Sequence, residues 1–123
     1  MYNDKAVVLV VEDSTVIRMG AVDLVIFAGY EAIEARSADE AISILESRSD
    51  IDLVFTDVEM PGTMDGVKLC HYIRNRWPPV KLIVASGKAV LEESSLPDGC
   101  RFFPKPYSDH TIVDAMARIL SAA

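Results

Sequence analysis

The sequence predicts an α/β domain: a doubly wound, five-stranded parallel sheet with helices on both faces. Three observations carry that expectation. Apolar runs of strand length alternate with segments of helical spacing along the chain, and strands joined through helical crossovers pair in parallel. The runs Val7-Val8-Leu9-Val10-Val11 and Leu53-Val54-Phe55 are continuously apolar, which suits strands buried on both faces. The 123 residues hold five βα units, whereas an eight-unit barrel needs about twice that length. Five units favour the strand order 2-1-3-4-5, with ligands bound at the carboxyl ends of the strands, where the order reverses.

The elements follow in order. Val7–Val11 is the first strand. Thr15 to Ala28 has helical spacing, with Ile17, Ala21, Leu24 and Ala28 on one side, Ser14 as cap and Gly29 as stop. Tyr30 to Ala35, with Glu31 and Glu34 interspersed among apolar residues, suits an exposed edge strand. Ser37-Ala38-Asp39-Glu40 is a capping box before Ala41, Ile42 and Leu45. Ile51 to Thr56 is the third strand. Asp65-Gly66 opens a helix that turns Val67, Leu69, Cys70 and Ile73 inward and stops at Trp77-Pro78-Pro79. Val80 to Ala85 and Cys100 to Phe103 are the last two strands. Only positions 87–98 separate them, room for a short or frayed fourth helix from Ala89 to Ser95. Ser108 caps a final helix with Ile112, Val113, Met116 and Leu120 facing the core.

Composition narrows the class. Half the residues are hydrophobic and a quarter charged, with a net charge of −7. That balance excludes a disordered chain and disfavours a nucleic-acid backbone or an anionic membrane as main partner. No apolar run approaches the length of a membrane span, and Met1-Tyr2-Asn3-Asp4 is not a signal peptide. Cys70 and Cys100 read as buried or half-buried thiols in a reducing cytoplasm. His71 and His110 lack ligand spacing and read as solvated or partly covered helix positions. Trp77 reads as a cover for the sheet edge, and Glu92 and Glu93 as a solvated face.

The strand ends carry the chemistry. Glu12 and Asp13 follow the first strand, Asp57 and Glu59 the third, Ser86 and Gly87 the fourth, and Lys105 the fifth. In the expected fold these converge. Two carboxylates about 4 Å apart repel by ~4 kcal/mol at an effective dielectric near 20, and Lys105 offsets one charge only. A hard divalent cation with carboxylate and water ligands, Mg²⁺, offsets more. Lys105 and the Ser86 hydroxyl could neutralise an incoming phosphoryl group. Asp57 is then the candidate nucleophile, because an aspartyl carboxylate can form an acyl phosphate.

Val10-Val11-Glu12-Asp13, Phe55-Thr56-Asp57-Val58-Glu59-Met60-Pro61, Asp65-Gly66, Ser86-Gly87 and Lys105-Pro106 together resemble the receiver domain of two-component response regulators, over essentially the whole chain. The resemblance implies the flavodoxin-like (receiver) fold and a signalling switch rather than a conventional enzyme. Asp57 would accept a phosphoryl group from a histidine kinase or histidine phosphotransfer protein. Asp13, with Glu12, Asp57 and the backbone carbonyl of Glu59, would bind Mg²⁺. Ser86, Gly87 and Lys105 would hold the phosphoryl group. Phe102 would be the switch aromatic that moves with Ser86 and alters binding of a downstream protein, although it also reads simply as a strand residue.

Other features stay open at this level. Glu59 and Lys88 either pair across the cleft mouth, slowing entry of hydrolytic water, or are two solvated rim charges. Positions 62–64 make a longer loop than many receivers carry. A short fourth helix puts the usual dimer arrangement in doubt and leaves a weak or phosphorylation-dependent homodimer open. A phosphatase or flavin carrier on the same fold fits less well. Asp57-Val58-Glu59 lacks the second aspartate of a DxD motif, and Glu12-Asp13 would repel a flavin phosphate. The expectation is therefore one stand-alone receiver over 1–123 with no output domain, which signals by binding a partner or passing the phosphoryl group on.

Overall fold

The computed structural model describes residues 5–60, 62, 64–87 and 95–121. The elements are β1 (Val7–Val11), α1 (Thr15–Phe27), β2 (Glu31–Ala35), α2 (Ala38–Ser47), β3 (Leu53–Asp57), α3 (Gly66–Arg76), β4 (Lys81–Ser86), β5 (Cys100–Pro104) and α4 (Asp109–Ser121). The strands form one sheet in the order β2-β1-β3-β4-β5, with every pairing parallel. This is the expected fold class and strand order. The short helix expected over Ala89 to Ser95 lies almost wholly outside the described residues, as does Lys88.

Alternation of side chains along the strands divides the core in two. Leu9, Val11, Val54, Leu82 and Val84 face one side, where Ala41 and Leu45 of α2 and Leu69, Cys70 and Ile73 of α3 cover them. Val8, Val10, Leu53, Phe55 and Ile83 face the other, against Ala21, Leu24 and Val25 of α1 and Ile112, Ala115 and Met116 of α4. Every residue of β1 and β3 is buried. Each large aliphatic side chain so enclosed contributes about 1.5–3 kcal/mol of transfer free energy. β2 is one of the two outer strands, and Glu31 and Glu34 keep it wet.

Helix boundaries follow local chemistry. The Ser14 hydroxyl accepts the Ile17 amide at 3.3 Å, and Ser37 accepts the Glu40 amide at 3.1 Å. The Glu40 carboxylate reaches back to the Arg36 amide at 2.6 Å, one residue before the cap. Gly29, at φ 99°, ends α1 where a side chain would be strained. Ser108 accepts the Thr111 amide at 3.1 Å and starts α4.

The packing corrects the inward face expected for α1. Ile17 is half exposed and Ala28 is only partly buried, whereas Arg18 and Val25 turn inward with Ala21 and Leu24. Arg18 is sequestered because its guanidinium has partners: it donates to the Glu12 carbonyl at 2.8 Å and to the Glu34 carboxylate at 3.0 Å. In α3, Gly66 rather than Val67 is fully buried. In α4, Ala115 is buried while Val113 and Leu120 only border the core. Trp77 packs against the core on the α2–α3 side, with the Arg76 guanidinium 4.9 Å above its ring. His71 and His110 are both exposed.

Candidate functional site

The register brings the sequence's strand ends to one edge. Val11 pairs with Thr56, Asp57 with Ala85, and Ser86 with Pro104. Glu12, Asp57, Ser86 and Lys105 therefore emerge together although they are far apart in sequence. Backbone bonds tie the exits: Val58 donates to the Ala85 carbonyl at 3.0 Å, and Lys105 donates to the Ser86 carbonyl at 2.8 Å.

Three acids converge there. Carboxylate oxygens of Glu12, Asp13 and Asp57 all lie within 4.8 Å of one another. Glu12 and Asp57 are buried, and Asp13 is exposed. The Lys105 ammonium stands 2.6 Å from Asp57 Oδ1 and 3.9 Å from Glu12 Oε1. That Asp57 oxygen is buried without an aligned hydrogen bond, so charge rather than directed bonding holds it. Burial pushes the Asp57 carboxyl above its ordinary range despite Lys105, and the charges of Glu59 and Asp13 push the same way. Burial also raises Glu12, against the Ser14 amide that its carboxylate accepts at 3.0 Å. Burial pulls Lys105 down, but Asp57 and the neighbouring acids outweigh it, and the ammonium is held above its usual value.

Three acids and one ammonium leave an excess of negative charge around a buried oxygen short of donors. Oxygen ligands of this kind fit Mg²⁺. Glu12, Asp13 and Asp57 are the side chains that could hold it.

Two features of the site escaped the sequence-level reading. Arg18, described above, anchors the β1 exit by its bond to the Glu12 carbonyl. Its signal was an arginine within the apolar stretch of α1, four residues after Ser14 and facing an acidic edge strand. The partners of Glu59, itself expected at the cleft rim, are the second. Its carboxylate crosses the cleft, accepting the Ser86 hydroxyl at 2.5 Å and the Gly87 amide at 2.9 Å. Phe102 is half-buried, packs on the α2–α3 side of the core and pairs in register with Val84. The peptide between Lys105 and Pro106 is cis.

The model of the response regulator receiver domain family matches residues 8–117. The chain belongs to that family. The receiver is 40% identical over 109 residues to the sensor kinase CckA of Brucella abortus, covering 84% of this chain and 11% of the kinase. It is 35% identical over 116 residues to the response regulator protein FleR of Pseudomonas aeruginosa, covering 92% of this chain and 24% of FleR. The chain thus spans only a minor part of either relative. Among solved structures, a response regulator receiver protein from Sinorhizobium medicae superposes with a TM-score of 0.88 at 26% identity, covering 97% of each chain. Receivers are signalling domains of two-component systems that interact with histidine kinases or phosphotransfer proteins, and they typically bind Mg²⁺ at an acidic pocket. Among the described residues, no helix is long and apolar enough to cross a membrane.

Proposed function

We propose that this receiver is a phosphorylation-activated response regulator whose Asp57 accepts a phosphoryl group from a histidine kinase or histidine phosphotransfer protein in a Mg²⁺-dependent reaction. The observation that carries this reading is the Lys105 ammonium 2.6 Å from the buried Asp57 carboxylate, amid two further acids. An Asp57 oxygen attacks the phosphorus, the P–N bond of the phosphohistidine breaks, and the imidazole leaves with the electron pair and takes up a proton. Lys105 pairs with the incoming negative charge, while the Ser86 hydroxyl and Gly87 amide donate to the transferred group. Glu12, Asp13, Asp57 and the Glu59 backbone carbonyl would hold Mg²⁺, which would supply charge neutralisation.

Two surfaces support the signalling role. On α1, Val16, Ile17 and Met19 are exposed, and Ile17 lines the same hollow as Asp57. An apolar strip beside the acceptor suits a protein that must bring a histidine to it. On the opposite flank, Phe102 on β5 follows Ser86 on β4, and an added phosphoryl group carries about two negative charges. Movement of Ser86 toward that group frees Phe102 to turn, and the β5–α4 surface then presents a different face to a downstream protein.

Incubation with Mg²⁺ and acetyl phosphate, read by intact mass, tests the reading. The expected result is one added phosphoryl group on the wild type and none on Asp57→Asn. An unmodified wild type that also ignores beryllofluoride with Mg²⁺ would overturn it.

A further inference from the structure

Glu59 lies two residues beyond Asp57, in the loop that leaves β3. Its carboxylate uses both oxygens on β4's exit: Oε2 accepts the Ser86 hydroxyl at 2.5 Å and Oε1 accepts the Gly87 amide at 2.9 Å. Ser86 is almost wholly buried, so its hydroxyl is sheltered from competing water on most sides. A short O–H···O⁻ bond of this kind is charge-assisted and stronger than a neutral one. Among the described residues no lysine, arginine or histidine forms an ion pair with Glu59. Among the described residues its carboxylate is thus hydrogen-bonded by a hydroxyl and a backbone amide.

Consecutive residues offering a hydroxyl and an amide to one two-oxygen anion form a small anion-binding site. Those two donors are the ones that a phosphoryl group on Asp57 would need. The inference therefore rests on the phosphoacceptor reading above. We infer that Glu59 is a built-in occupant of the phosphoryl-binding donors, a carboxylate that must release Ser86 and Gly87 before a phosphoryl group can take them. In the resting state Glu59 holds the Ser86 hydroxyl toward the β3 loop. Loading replaces one anion by another on the same donors, and the displaced Glu59 side chain swings out to the cleft rim. Glu59 is thus a positioning residue, which sets how readily the site is loaded and when Ser86 is free to move.

The test titrates beryllofluoride with saturating Mg²⁺ against the wild type, Glu59→Ala, Glu59→Gln and Glu59→Asp, following backbone amide resonances. Before any ligand is added, the Gly87 amide resonance should move upfield in Glu59→Ala and Glu59→Asp, because a charge-assisted bond is lost. Half-saturation should then tighten by roughly tenfold in Glu59→Ala, the scale expected when two resting hydrogen bonds no longer compete, and less in Glu59→Gln, whose amide oxygen still accepts weakly. Glu59→Asp separates occupancy from bulk charge. It keeps the charge but lacks the reach to both donors, and should also tighten several-fold. Tightening in Glu59→Ala and Glu59→Gln with wild-type behaviour in Glu59→Asp would reduce the effect to general repulsion and overturn the inference. Equal affinity in all four proteins would overturn it while leaving the phosphoacceptor reading intact. No response in any of them would remove both.

Discussion

Gly66 begins α3 directly against the backbone of Asp57. A Cβ there would collide with the Asp57 carbonyl oxygen and stand 2.7 Å from Val58 Cα. The Gly66 amide instead donates to the Val58 carbonyl at 3.0 Å, and Asp65 caps the helix by accepting the Lys68 amide at 3.0 Å. The Asp57 segment is thus braced by the start of a helix that only glycine can bring so close. Gly66→Ala should lower unfolding free energy by about 2 kcal/mol, the scale of an overpacked core, because the atoms in its way are backbone. Gly20→Ala is the control. No atom lies within 4 Å of that site in α1, and the change should stabilise the protein by about 0.5–1 kcal/mol. Urea unfolding of the two variants reads both signs.

Arg18 joins the site to the outer strand β2. Arg18→Met keeps most of the apolar stem but removes the donors to the Glu12 carbonyl and the Glu34 carboxylate. A loss of about 2 kcal/mol is expected, since the Glu12 carbonyl would be left buried and unpaired. Glu34→Gln should lose less than about 1 kcal/mol, because Glu34 is half exposed. Similar losses in the two variants would show that the ion pair, and not the carbonyl bond, carries Arg18's contribution.

The acid cluster fixes a pH dependence. Asp57 and Glu12 are both held above their ordinary values, mainly by burial. A raised carboxyl favours the protonated folded state, so this stabilisation is present at low pH and is lost as pH rises through the folded values. Mg²⁺ bound as proposed would take the deprotonated forms, so its binding would weaken as pH falls through the same values. Melting temperatures in chelator and in Mg²⁺ should therefore diverge as pH rises from about 4 to about 7. Lys105 works in the alkaline range. Its ammonium is held up, so its contribution is full below the unfolded lysine value and lost as pH rises through the folded one. Asp57→Asn should remove much of the divergence caused by Mg²⁺.

The two cysteines differ in reactivity. Cys70 is fully buried, and the neighbouring Cys100 thiol, followed by burial, pushes its thiol well above the usual value. Cys100 is partly exposed, and the neighbouring Cys70 lowers it against the opposing effect of burial. Iodoacetamide at about pH 8 should alkylate Cys100 at least tenfold faster than Cys70, because the thiolate is the nucleophile. Peptide mapping by mass spectrometry over a time course reads the order, and parallel labelling of both thiols would contradict it.

The sequence by itself determined the elements, the class of fold and the inventory at the strand ends. Those signals are local: an unbroken apolar, valine-rich run at 7–11, a serine or aspartate ahead of each helix, and polar residues at each strand's carboxyl end. Parallel connectivity then places Asp57, Ser86 and Lys105 on one edge, and the register agrees. What only the tertiary structure decided depends on partners far away in sequence. Helical spacing turned Ile17 inward, but Arg18 took the buried position because the Glu12 carbonyl and Glu34 satisfied its guanidinium. Asp65-Gly66 read as a helix start, yet the need for glycine comes from the Asp57 backbone lying across it. Glu59 read as a rim charge, and its direction came from Ser86 and Gly87, presented by a neighbouring strand. Hydrophobic period and capping are written along the chain, whereas a buried charge takes whichever donors the packed strands bring within reach.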